Sequence, residues 1–167
     1  MRLENKVAVI TGGGTGIGKG IAVMFAREGA KVVVSGRRME PLQQVVDEIT
    51  KNGGTAQAIS CDVAKADEVQ KLIDQTVQAY GSVDILVNNA GVYIPHDALT
   101  MPEEEWNTVM SVDLKGVWHT VKSAIPHMLK KGKGKIINVS SIAGLIGFEQ
   151  SAAYCAAKGA VVNLTRE

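Results

Sequence analysis

Apolar runs of four to six residues alternate along the chain with longer stretches whose apolar positions recur three and four apart. The first kind suits strands buried on both faces, and the second suits amphipathic helices. Val7–Ile10, Lys31–Ser35, Thr55–Ser60, Val83–Val87 and Lys135–Val139 read as five strands. Between them, Ile17–Arg27 places Ile21, Met24 and Phe25 at helical spacing and stops at Gly29. A helix beginning near Pro41 runs to Lys51, closed by Asn52-Gly53-Gly54, and Asp67–Tyr80 gathers Val69, Leu72, Ile73 and Val77 on one side before Gly81. Glycine just past a helix end and proline just inside its start are the expected punctuation.

The second half continues the alternation. Thr100-Met-Pro-Glu103 has the form of a capping box, with a proline just inside the helix it opens. The helix it starts is predicted to run to about Lys131, broken near Ser111 and kinked at Pro126, where a backbone hydrogen bond is lost. A last helix carries Tyr154 and Lys158 and keeps helical register to Glu167 with no stop signal. Strand–helix alternation of this kind predicts an α/β fold, a doubly wound parallel sheet in three layers, occupying residues 1–167 as one dinucleotide-binding domain.

Composition narrows the function classes. The chain has 167 residues, a net charge of +1 and no long basic run, which argues against a nucleic-acid partner. Lys130, Lys131, Lys133 and Lys135 cluster, but interleaved glycines make them a solvated helix end. No apolar run approaches membrane-spanning length, and the N-terminal run is too short for a signal peptide, so a membrane role is not expected. Cys61 and Cys155 have neither metal-ligand nor disulfide spacing, and His96, His119 and His127 fit no metal pattern. A reducing, cytoplasmic location follows, with no metal.

Three stretches carry chemistry. Thr11 to Gly18 (TGGGTGIG) joins the first strand to the first helix. It departs from the strict G-x-G-x-x-G pattern because position 17 is Ile, yet the physics is the same. Residues without Cβ let the backbone approach a pyrophosphate, and the following helix N-terminus directs free N–H groups at it. Gly12, Thr15, Gly16, Ile17 and Gly18 are therefore candidate cofactor contacts. The second strand ends Ser35-Gly36-Arg37-Arg38, with no acid before Glu40 to take a ribose 2′-hydroxyl. The planar, permanently charged fork of Arg37 suits a 2′-phosphate, which puts NADP ahead of NAD.

Asp62 and Val63 close the third strand, where an adenine would lie in such a sheet. Asn88-Asn89-Ala90-Gly91 closes the fourth, and Asn89, Ala90 and Gly91 are either cofactor contacts or an ordinary turn whose asparagines tie strands together. The third stretch, Ser141 to Lys158, ends in Tyr154 and Lys158 at i, i+4 spacing on one helix face. A phenol titrates near ~10, and a fixed ammonium beside it favours the phenolate, so such a pair can exchange a proton near neutral pH.

These motifs, in this order and spacing, resemble the short-chain dehydrogenase/reductase family. The resemblance rests on Thr-Gly-x-x-x-Gly-x-Gly, Asn-Asn-Ala-Gly, Asn138-Val-Ser-Ser141 and Tyr154-x-x-x-Lys158, with Ser141 thirteen residues before Tyr154. It implies a Rossmann fold and hydride transfer between NADP (or NAD) and a small carbonyl or alcohol substrate, in a homo-oligomer, dimer or tetramer, of the complete protein. It also implies roles: Tyr154 as acid/base, Ser141 steadying the substrate oxygen, and Lys158 tuning the tyrosine and gripping the nicotinamide ribose.

Two departures stand out. Where the family usually has an asparagine that helps hold a relay water, this chain has Asp113, which cannot donate when ionised but remains a candidate site residue. Family members also run longer, so further strands and a substrate-covering segment are expected beyond Glu167, leaving Val161 and Leu164 poorly covered and the fold C-terminally incomplete. A second reading follows: a nucleotide-binding fragment without turnover.

Overall fold

The computed structural model describes residues 1–167. Five strands form one sheet: β1 (Val7–Thr11), β2 (Lys31–Gly36), β3 (Thr55–Ser60), β4 (Ile85–Asn88) and β5 (Lys135–Asn138). Their order is β3-β2-β1-β4-β5, and every adjacent pair is parallel. Six helices surround it: α1 (Gly16–Arg27), α2 (Met39–Lys51), α3 (Ala66–Tyr80), α4 (Glu103–Met110), α5 (Gly116–Lys130) and α6 (Ala152–Leu164). The doubly wound reading of the sequence is thus the fold.

The alternation of strand side chains divides the core into two layers. Ala8 and Ile10 of β1 join Ala22 and Ala26 of α1 and Leu42, Val45 and Ile49 of α2. Val9, between them, joins Val69, Leu72 and Ile73 of α3 and Ala124 and Met128 of α5 on the opposite face. Val9, Ile10, Val32, Val33, Val34 and Leu86 are wholly buried, which is why the central strands carry no polar face. Each such side chain contributes about 1.5–3 kcal/mol relative to exposure. Only the central strands obey this rule. On the sheet's edges, β3 leaves Thr55 and Ser60 exposed and β5 exposes Lys135 and Ile137, because one side of an edge strand lacks a neighbour.

Several local expectations need correcting. Thr100 does not cap α4; its N–H and hydroxyl both bond Asp97, and Pro102 holds the N-cap position with no side-chain bond. A proline at that position presents no oxygen for the free N–H groups, and Glu103, Glu104 and Glu105 in the first turn complement the helix dipole instead. The break foreseen near Ser111 is a widening: Ser111–Lys115 forms one π-helical turn that joins α4 to α5 without a gap. Pro126 lies inside α5, and helix continues to Lys130. Val161, foreseen as poorly covered, is wholly buried, while Leu164 is half-buried. The helix bearing it packs on a short 3-10 turn at Ile142–Gly144. The approach is close enough that a Cβ on Gly144 would meet the Lys158 carbonyl carbon at 2.8 Å.

Polar ties hold the two ends of the sheet. At the amino end, Asp84 is nearly buried and accepts the Val7 N–H at 2.9 Å, Ser82 Oγ at 3.2 Å and the Lys131 ammonium. Burial pushes its carboxyl up, but the Lys131 bond, the Val7 N–H and the lysine charge together overcome this and hold it below the usual range. At the carboxyl end, Asn88 Nδ2 donates to Asn138 Oδ1 at 2.8 Å, joining β4 to β5, and Thr120 of α5 donates to Asn88 Oδ1 at 2.6 Å.

Asp84→Ala is expected to cost about 1–3 kcal/mol in urea unfolding, since it strands the Val7 N–H without an acceptor. A carboxyl whose folded pKa is depressed stabilises above its unfolded value, near ~3.9, and the benefit disappears as pH falls through the folded value. The wild type should therefore lose more stability than the variant when acidified from pH ~5. Equal acid sensitivity of the two proteins would contradict the assignment.

Candidate active site

The strand order reverses between β1 and β4, so the connections leaving their carboxyl ends diverge and open a crevice. A cleft of about 190 Å³ lies there, lined on one side by Gly12, Gly14 and Thr15 and on the other by Ala90, Gly91 and Val92. Arg37 and Arg38 after β2 and Asp62 and Val63 after β3 extend the lining. Residues from four separate stretches of sequence thus meet in one place.

The turn after β1 is held by atoms of the β4 end. Asn89 Nδ2 donates to the Thr11 and Gly12 carbonyls at 3.0 and 3.1 Å, while Thr11 Oγ1 accepts the Asn89 and Ala90 N–H groups at 3.0 and 3.1 Å. Contact is so close that the glycines have no substitute. Gly12 has φ +64°, and a Cβ there would stand 2.8 Å from Asn89 Nδ2; at Gly18 a Cβ would collide with the Gly12 carbonyl oxygen. Gly16 also adopts a left-handed φ of +53°, but it faces open space beside exposed Thr15 and Ile17. Asn89 therefore braces the turn, whereas Ala90 and Gly91 face the cleft.

Arg37 and Arg38 are exposed at the rim and form no ion pair. Their charges are free to meet an anion. Asp62 Oδ1 accepts the Ala64 N–H at 3.1 Å, and its own N–H donates to Glu68 at 2.7 Å, so the turn after β3 is fixed by local bonds. Cys61, just before it, is buried, and burial pushes its thiol up to about 11; it is a packing residue, not a nucleophile.

The second half of the site is carried by α6, the 3-10 turn and the π-helical turn. Ser141 caps the 3-10 turn, its Oγ accepting the Ala143 N–H at 3.1 Å, which leaves the hydroxyl proton available to donate. The Tyr154 ring is half-buried, and Tyr93 meets it edge-on with centroids 5.2 Å apart while bonding Ser151 Oγ at 3.0 Å. Lys158 is nearly buried. Its Nζ donates to the Val139 carbonyl at 3.2 Å and lies 5.6 Å from the Tyr154 ring centroid. Asp113, wholly buried in the π-helical turn, accepts the Val92 N–H at 2.7 Å and puts Oδ2 3.3 Å from Lys158 Nζ. Tyr93 went unnoticed in the sequence, where a tyrosine two residues past an Ala-Gly turn carries no signal of its distant partner.

The histidines are committed elsewhere or carry no site: His96 bonds Glu105 at 2.7 Å and buried His119 bonds the Val63 carbonyl at 3.0 Å. No helix is long and apolar enough to cross a membrane.

Comparison with known proteins identifies the family. The short chain dehydrogenase family matches residues 6–167. The chain is 40% identical to 3-oxoacyl-(acyl-carrier-protein) reductase FabG of Thermotoga maritima, over 99% of this chain and 68% of that protein. It is 43% identical to meso-2,3-butanediol dehydrogenase of Serratia marcescens, over 99% of this chain and 65% of that one. Among solved structures, a metagenomic short-chain oxidoreductase in complex with NADP superposes with a TM-score of 0.95 at 36% identity, covering 99% of this chain and 76% of that one. A short-chain type dehydrogenase/reductase from Mycobacterium marinum gives the same score at 41% identity, covering 98% and 66%. The chain spans about two thirds of the length of the curated relatives it matches. It belongs to the short-chain dehydrogenase family of NAD(P)-dependent oxidoreductases.

Proposed function

We propose that the protein reduces or oxidises a small carbonyl or alcohol compound with NADP(H), Tyr154 moving the proton. One observation carries this reading: a buried lysine ammonium stands 5.6 Å from the ring centroid of a tyrosine one helical turn away, directly behind Gly91 of the cleft wall. Such an ammonium stabilises a phenolate, and in a water-poor setting it does so more strongly than in bulk water.

The fit of a dinucleotide is supported by the glycine turn, whose N–H groups at the start of α1 are the natural seat of a pyrophosphate. Gly12, Thr15, Gly16, Ile17 and Gly18 would hold that part, Arg37 a 2′-phosphate, and Asp62 and Val63 the adenine. Ala90 and Gly91 would flank the ribose, with Asn89 bracing the turn as described. Tyr154 and Lys158 would take the nicotinamide ribose. When bound, the nicotinamide supplies or accepts the hydride.

The chain's own part is proton control and orientation. The free hydroxyl proton of Ser141 is available to hold the substrate oxygen, and the Tyr154 hydroxyl gives that oxygen a proton in reduction or takes one in oxidation. Lys158, fixed by the Val139 carbonyl, supplies the positive charge that the phenolate requires. The NADP of the metagenomic relative favours NADP here too, in line with the unpaired Arg37. The two named relatives carry different substrate names, so the reading stops at the reaction class. A nucleotide-binding fragment without turnover is the less favoured reading, given that both are enzymes.

Tyr154→Phe should lower turnover by at least about a hundredfold, the usual scale of lost acid–base catalysis, while the dissociation constant for NADPH changes little. Turnover is followed at the nicotinamide absorbance against a panel of carbonyls and alcohols. A phenylalanine variant with near wild-type turnover would refute the assignment of the proton to Tyr154.

Arg37→Asp is expected to reverse cofactor preference, weakening NADPH and strengthening NADH, because it removes the cation facing the 2′-phosphate and supplies an acceptor for a 2′-hydroxyl. Fluorescence titration with both reduced cofactors measures this. An unaltered ratio of dissociation constants would place the 2′-group elsewhere.

A further inference from the structure

The π-helical turn sets a carboxylate where nothing in the acid–base reading requires one. Asp113 is wholly buried, and its two oxygens differ sharply. Oδ1 accepts the Val92 N–H at 2.7 Å; Oδ2 is 3.3 Å from Lys158 Nζ but has no well-aligned donor from any group. A buried carboxylate oxygen left this way is costly unless a charge offsets it, and Lys158 is the only cation in reach. Lys158 is equally constrained. One of its three N–H donors goes to Val139, Asp113 Oδ2 lies 3.3 Å away as an ion-pair contact without hydrogen-bond alignment, and the remaining donors are open to a ligand or the tyrosine oxygen. Gly91 stands over the pair: a Cβ there would come within 3.1 Å of Oδ2 and 3.5 Å of Nζ. Because Gly91 also lines the cleft, the ion pair sits directly behind the cleft wall.

We propose that Asp113 is a positioning residue that anchors the Lys158 ammonium beside Tyr154 and opposes its charge, so that the protonation state of Asp113 sets how much positive charge the tyrosine feels. The inference rests on the reading of Tyr154 as the acid/base. With Asp113 ionised, its charge offsets part of the ammonium's and a phenolate gains less than it would from Lys158 alone. With Asp113 protonated, or replaced by an amide, the ammonium acts unopposed and a phenolate forms at lower pH. Burial, opposed by the Val92 N–H and Lys158, keeps the Asp113 carboxyl above the ordinary carboxylate range, nearer the range in which such a change matters.

Glu103 and Glu104 of α4 and Lys122 and Lys130 of α5 are exposed, and the ionisable groups nearer the pair are engaged or set apart. Tyr93 packs on Tyr154 and bonds Ser151. From α4, Glu105 is taken by His96; from α5, His119 is taken by the Val63 carbonyl. Lys115, on the same π-helical turn, is exposed, and Cys155 on α6 is a half-buried free thiol. Asp113 and Lys158 are thus the pair whose charges meet at the tyrosine.

Two measurements test this. In carboxyl-labelled protein, the ¹³C resonance of Asp113 is titrated in wild type and in Lys158→Met. Loss of the ammonium should move the Asp113 midpoint upward by about one pH unit or more, and an unmoved midpoint would overturn the anchor. In the second, the pH dependence of alcohol oxidation is compared for wild type and Asp113→Asn. The acid-side limb should move down by about one pH unit, whereas a residue of merely structural importance would lower the whole curve without displacing it. A limb that stays in place overturns the charge-opposing role. The resonance measurement needs no turnover, so it stands even if Tyr154→Phe shows that the proton moves through another group.

Discussion

The site depends on a close approach between the turn after β1 and the end of β4. Two connections leave neighbouring parallel strands in different directions, and the crevice between them must be kept open without becoming loose. Asn89 does this by sending its amide across to two backbone carbonyls of the glycine turn, while Thr11 returns bonds to the Asn89 and Ala90 N–H groups. Any side chain at Gly12 or Gly18 would force the two apart. The lack of side chains at Gly12 and Gly18 therefore follows from the approach of Asn89 from within, and the proposed seat of a phosphate outside would use the same bare backbone.

A second set of polar ties joins the layers behind that crevice. Thr120 bonds Asn88, Asn88 bonds Asn138, and Asn138 in turn donates to Thr165 at 2.9 Å, just past the end of α6. The chain of bonds runs from α5 through β4 and β5 toward the helix carrying Tyr154 and Lys158. Ser140 adds a bond to the Lys158 carbonyl at 2.9 Å. The helix carrying Tyr154 and Lys158 is thereby referenced to the sheet through hydrogen bonds whose directions are fixed, as well as through apolar contact whose direction is not. A proton donor that must be held to within a fraction of an ångström benefits from the former.

Much of this was legible in the sequence, for a physical reason. Buried parallel strands must be apolar on both faces, so Val7–Ile10 and Lys31–Ser35 announce themselves, and glycine marks helix ends because it accepts a positive φ, as Gly29 and Gly81 do. The glycine turn, the Asn-Asn-Ala-Gly turn and the Tyr154–Lys158 spacing were equally visible, since each is local. Relations between distant residues were not. Nothing local distinguishes an Asn89 that braces a turn from one that touches a ligand, and the Tyr93–Tyr154 and Asp113–Lys158 contacts join residues 61 and 45 positions apart. The capping box failed because Asp97, three residues upstream, competes for Thr100, and the π-helical turn has no sequence signature that separates it from an ordinary break.

The central claim is that this cleft holds an NADP-type dinucleotide against Tyr154 and Lys158. Its most direct test is NADPH titration into isotopically labelled protein, following backbone amide resonances. The account predicts saturable binding with the largest displacements at Gly12 to Gly18, Arg37, Ala90 and Gly91, and at Tyr154 and Lys158 on α6. No saturable binding, or displacements confined to other faces of the sheet, would contradict it.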